Sequence, residues 1–122
     1  MTDSIYEKGL GKGPANFVPQ TPLGFLSWAN HVYPEKVAVI HGNKKYTYRE
    51  FNGRSIKLAS ALSKKGIKKG DTVAVMAPNS PPMLEAHFGV PMTGAVLNAL
   101  NYRLDSETIS FILNHGEAKV LI

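Results

Sequence analysis

Along residues 71–122 the hydrophobic positions switch repeatedly between short continuous apolar runs and longer stretches where apolar residues return every three or four positions. The first pattern suits strands covered on both faces, and the second suits amphipathic helices. The runs at 72–77, 95–100 and 118–122 therefore predict three strands, separated by helices that start after Ser80 and Asp105. Ser80 stands at an N-cap position with Pro81 behind it, and Leu84, Phe88 and Met92 form the expected buried stripe. Pro91 should kink or split that helix, because it removes a backbone donor and crowds the preceding turn. Asp105 caps the next helix and Gly116 ends it. Strands alternating with helices predict an α/β fold with a mostly parallel sheet and crossover helices.

The first half of the chain has a different texture. Thr21 and Pro22 open a helix with Leu23, Phe25, Leu26, Ala29 and Val32 on one face, closed by Pro34; Trp28 is expected to pack on it. Residues 37–40 and 45–48 flank His41, Gly42, Asn43 and Lys44, which predicts a β-hairpin at the margin of the sheet. Thr47 and Glu50 have the spacing of a capping box for a helix whose buried face is Phe51, Ser55, Leu58, Ala59 and Leu62. Gly66 is placed to end that helix in a left-handed conformation. Gly53 lies inside it at a propensity cost of about 1 kcal/mol, so close packing against another element is its expected reason. Residues 1–20, with five glycines and prolines and no apolar period, form an extended or mobile lead-in ahead of a domain at 21–122.

Length and composition narrow the function class. A chain of 122 residues holds one domain, and 43% hydrophobic with 19% charged residues is globular rather than disordered. No apolar run is long enough to span a bilayer, and the polar start MTDSIYEKG lacks the centre of a secretory signal. With zero cysteines, the expectation is a cytoplasmic chain without thiol or disulfide chemistry. A net charge of +5 raises an anionic partner, but Lys64, Lys65, Lys68 and Lys69 gather at a helix end without interleaved aromatics. No nucleic-acid role is expected.

Local chemistry is sparse. His31, His41, His87 and His115 have no other ligand type at metal spacing, which predicts no metal site. His87 and His115 read as packed or surface histidines, Glu85 and Glu117 form no acid-base pair with them, and no nucleophile elbow occurs. No catalytic residue is assigned. The loop 77–81 could offer backbone N–H groups to an anion between a strand end and a helix start, although capping by Ser80 explains it as well.

The segment GDTVAVMAPNSPPMLEAHFGVPMTGAVLNALNYRLD is much more specific than any short motif. With the rest of 21–122 it resembles the N-terminal part of the adenylate-forming acyl-CoA synthetases, particularly their medium-chain fatty acid and methylmercaptopropionate ligase branch. Asn101, Tyr102, Arg103 and Leu104 match that family's N-x-R-L segment. The resemblance implies that Arg103 contacts a CoA nucleotide phosphate, a role suited to a guanidinium; pairing with Asp105 or Glu107 is the competing expectation. It also implies a parent enzyme that uses ATP, Mg and CoA to convert a small-molecule carboxylic acid into an acyl-adenylate and then a thioester. The family's G-x-P-K phosphate loop, its aromatic-Gly-x-Thr-Glu motif, its ribose-binding Asp and its catalytic lysine are absent from these 122 residues. The expectation is therefore a scaffold fragment, inactive alone, cut before the phosphate loop. A stand-alone interaction module is the alternative, and the apolar strand ending at Ile122 predicts self-association.

Overall fold

The computed structural model describes residues 5, 6, 8, 9 and 11–122. Positions 1–4, 7 and 10 of the expected lead-in lie outside the described residues. Residues 11–20 contain a turn in which Phe17 N–H donates to the Gly13 carbonyl at 2.9 Å, and Lys12 lies over the Phe17 ring.

Helix α1 (Pro22–Val32) starts at Thr21, whose hydroxyl accepts from Gly24 N–H, and the proline fills the first turn where no donor is needed. It buries only Leu26. Phe25 and Val32 of the expected face are exposed, and Trp28, 58% exposed, touches Tyr33 edge-on instead of packing inward.

The hairpin forms from β1 (Val37–His41) and β2 (Lys44–Thr47), paired antiparallel with Gly42 at φ +57 in the turn. It is a separate two-stranded sheet rather than the margin of the parallel one. Thr47 leaves the strand to become the N-cap of α2 (Tyr48–Lys64), and its reciprocal bonds with Glu50 complete the capping box. At the far end Gly66 takes φ +87, and Ile67 N–H returns to the Leu62 carbonyl. Those bonds satisfy carbonyls of the last turn, while Ile67 and Leu62 join the core.

The parallel sheet has the order β4-β3-β5, with β3 (Thr72–Met76) in the middle, β4 (Val96–Leu100) and β5 (Ala118–Leu121). Val73, Ala74 and Val75 are all buried, so both faces of β3 are covered. Val73 and Val75 pack with Leu62, Met83, Ala86 and Val90. Helix α3 (Pro81–Gly89) carries the chain from β3 to β4, and α4 (Ser106–His115) carries it back across β3 to β5. Parallel crossovers are right-handed as a rule, and two that run in opposite directions along the β4-β3-β5 order then put α3 and α4 on opposite faces of the sheet.

Three local expectations are corrected. Helix α3 buries Pro81, Met83, Glu85, Ala86 and Gly89, while Leu84 is exposed and Phe88 and Met92 half-buried. The helix is wedged between the sheet and α2, and its third side closes only an open groove. Ser80 occupies the N-cap position of α3 but makes no side-chain capping bond. A Cβ at Gly53 would meet nothing within 4 Å, so no close approach explains that glycine. Helix α4 does end at Gly116, but the left-handed residue is Glu117 at φ +50; a Cβ on Gly116 would come within 3.1 Å of the Asn98 amide. As expected, Pro91 splits the helix: α3 ends at Gly89 and a 3-10 turn covers Pro91–Thr93.

Candidate functional site

Opposed crossovers leave a gap. The loop after β3 turns toward one face of the sheet and the loop after β4 toward the other, so the carboxyl ends of these neighbouring strands border a crevice. Ligands of open α/β sheets bind at such a switch point. An open cleft of about 770 Å³ lies there, lined by Ala77, Pro78 and Asn79 from one loop and Asn101, Tyr102 and Arg103 from the other. Met83 and His87 of α3 form its wall.

Arg103 is held at this mouth by its own loop. Its backbone N–H donates to Asn101 Oδ1 at 3.0 Å, its Nε donates to the Tyr102 hydroxyl at 3.3 Å, and its guanidinium lies 5.5 Å from the Tyr102 ring centre. Neither expected carboxylate pairs with it. Asp105 instead accepts from Thr108 N–H at 2.9 Å and from the Thr108 hydroxyl at 2.7 Å, capping α4. Those bonds, the backbone one foremost, hold the Asp105 carboxyl below its ordinary range. Among the described residues the remaining guanidinium N–H groups of Arg103 have no partner, and their planar fork fits a phosphate.

His87 lies four residues after Met83 on α3, and its Nδ1 is 2.8 Å from the Met83 carbonyl oxygen. It borders both this cleft and a more apolar groove between the hairpin and α3, which Val39, Ile40, Leu84 and Phe88 line. Spacing alone gave His87 no role, because its neighbours in the cleft come from a loop some fifteen positions later. Glu85 points to the other side of α3, where Arg54 Nε donates to it at 2.5 Å. That pair joins α2 to α3 and is unrelated to the cleft. His115 stacks on Phe111 at the end of α4. Among the described residues no group of three or more His, Asp or Glu side chains is placed to hold a metal ion. Nor is any helix among them long and apolar enough to cross a membrane.

Comparison with known proteins agrees with this architecture. Residues 26–122 match the family of AMP-binding enzymes. The acetate/butyrate-CoA ligase AAE7 of Arabidopsis thaliana, a peroxisomal protein, is 50% identical over 113 residues, which are 93% of this chain and 20% of that enzyme. Among solved structures, a fatty acyl CoA synthetase of Mycobacterium tuberculosis superposes with a TM-score of 0.77 at 32% identity, covering 81% of this chain and 20% of its own. The N-terminal subdomain of Klebsiella oxytoca NpsA gives 0.78 at 27% identity, covering 85% and 27%. The chain spans about a fifth of the length of the curated relatives it matches. With that much of the sequence and the fold in common, the chain belongs to the AMP-binding enzyme family.

Proposed function

We propose that this chain is the N-terminal scaffold of an ATP-dependent acyl-CoA ligase. The parent would join a carboxylic acid to AMP from ATP with magnesium, release pyrophosphate, and pass the acyl group to the thiol of CoA. Residues 1–20 serve as a lead-in and 21–122 as a partial subdomain preceding the phosphate loop. By itself the chain has no adenylation activity, because the phosphate loop and the catalytic lysine of the family fall outside these residues.

The observation that carries this reading is the cleft between the ends of β3 and β4, with an uncommitted guanidinium at its mouth. In the parent, Arg103 holds a phosphate of the CoA nucleotide through charge-assisted hydrogen bonds. The acid belongs to the short- to medium-chain range: the sequence resembles the medium-chain and methylmercaptopropionate branch, and the similar Arabidopsis enzyme is named for acetate and butyrate. A cytoplasmic location is part of the same reading, and fractionation would separate it from the peroxisome named for that relative.

Acid-dependent exchange of labelled pyrophosphate into ATP tests the proposal. The full-length parent should catalyse it with short- and medium-chain acids, followed by thioester formation with CoA, while the 122-residue chain stays at the buffer blank. Exchange by the isolated chain, or a parent inert toward every carboxylic acid, would overturn it.

A further inference from the structure

We infer that His87 is a second ligand-contacting residue of the cleft, accepting a hydrogen bond at Nε2 from a hydroxyl or amide group of the molecule whose phosphate Arg103 holds. The inference rests on the CoA reading of the site and adds a residue that the N-x-R-L segment does not contain.

The geometry fixes the tautomer. A carbonyl oxygen can only accept, so the 2.8 Å contact between His87 Nδ1 and the Met83 carbonyl requires the proton on Nδ1. In the neutral ring Nε2 is then a bare acceptor. The two ring nitrogens point in diverging directions, so tying Nδ1 to the helix backbone turns Nε2 away from the helix. Among the described residues no group bonds to it, and His87 is exposed where it lines the cleft. An acceptor locked in orientation by a bond to its own helix loses little freedom when a ligand arrives, which is the condition for a useful contact.

The position also selects the kind of partner. His87, Asn79 and Met83 border both the polar cleft and the apolar groove over Leu84 and Phe88, so the acceptor stands where polar and apolar surfaces meet. Arg103 lines the polar cleft and not the groove. A molecule spanning both must carry phosphate at one end and hydrogen-bond donors on a mainly aliphatic arm at the other. The pantetheine arm of CoA, with its hydroxyl and amide N–H groups beyond the pyrophosphate, has that composition.

The test uses the full-length ligase and separates the half-reactions. His87→Phe keeps a ring but removes the acceptor, whereas His87→Gln restores one at similar reach. Losing a neutral hydrogen bond should raise KM for CoA about 3- to 10-fold in His87→Phe. Acid-dependent pyrophosphate exchange, which needs no CoA, should fall less than about twofold, and His87→Gln should recover most of the CoA affinity. Arg103→Ala, measured alongside, should raise KM for CoA as well. If Arg103→Ala weakens CoA use and His87→Phe does not, the role of His87 is refuted while the CoA site survives. If neither variant changes KM for CoA, both fall together. Equal loss of exchange and CoA use in both His87 variants, with a lowered melting temperature, would make His87 a packing residue and overturn the inference.

Discussion

A Cβ added to Gly89 would stand 2.8 Å from the backbone carbonyl oxygen of Ser55 and 2.9 Å from a methyl of Leu58. Helices α2 and α3 are therefore in backbone contact, with Ser55 fully buried and its hydroxyl returned to the Phe51 carbonyl at 3.0 Å. Neither backbone can yield without moving a whole helix. Gly89→Ala should lower stability by about 1–3 kcal/mol through overpacking. Gly53→Ala, in the same α2 but facing open space, should raise it by up to about 1 kcal/mol through helix propensity. Denaturant melts of the two variants check this, and equal effects would mean that α3 does not pack as described.

The Arg54–Glu85 pair is asymmetric, because the Glu85 side chain is 10% exposed and that of Arg54 is 42% exposed. Removing the arginine strands a carboxylate in the α2–α3 interface and also loses the guanidinium contact over Tyr46, 5.0 Å from the ring centre. Removing the carboxylate lets Arg54 turn to water. Arg54→Met should thus cost about 1–3 kcal/mol and Glu85→Gln clearly less. The reverse order in urea titrations would contradict this burial.

Asp71 joins β3 to β5 and to the preceding turn, accepting from Lys119 Nζ at 2.6 Å and from Lys68 N–H at 2.8 Å. The Lys119 bond first, then the Lys68 backbone bond, hold its pKa below the ordinary 3.8. A carboxyl with a depressed folded-state pKa adds stability that is fully present above its unfolded value and is lost as pH falls through the folded value. Asp71→Asn should accordingly melt earlier than wild type above pH of about 5. The two curves should approach each other as pH drops below the ordinary carboxylate range, and a constant gap down to strong acid would remove Asp71 as the source.

Both β4 and β5 are edges of the three-stranded sheet, and β5 bonds only to β3 among the described residues. Leu121 and Ile122 are about half exposed, at 48% and 50%. An apolar strand with open donors and acceptors recruits another strand. The isolated chain should show concentration-dependent association in sedimentation experiments, and Leu121→Lys should weaken it. Monomers at every concentration would show that this edge is protected.

What could be read in advance follows from the range of the forces involved. The capping box at Thr47 and Glu50, the break at Pro91, the left-handed Gly66 and the buried run at β3 all depend on residues a few positions apart, and each forms as the spacing predicts. The N-x-R-L resemblance singled out Arg103 before any geometry, and the strand-helix alternation implied a parallel sheet. Failures cluster where a second element chooses the face. The α3 stripe of Leu84, Phe88 and Met92 loses to Met83, Glu85, Ala86 and Gly89, because α2 and the sheet press on α3 from two sides. Gly53 and Gly89 look alike in the sequence, and only the approach of α2 to α3 separates a permissive glycine from an obligatory one.

The cleft divides in the same way. Local chemistry settled that 77–81 is a strand-to-helix loop and that 101–105 leads into a capped helix. That these loops open side by side was decided by opposed crossovers on a β4-β3-β5 sheet, which no local pattern encodes. The freedom of Arg103 is likewise tertiary and local together: Asp105 stood two residues away as a partner, but its carboxylate is drawn to the start of α4 by the N–H and hydroxyl of Thr108. His87 came to line the same cleft as Arg103 through tertiary packing as well. Sequence periodicity determined the helix that carries it, while the packing of that helix against β3 brought its ring to the end of β4.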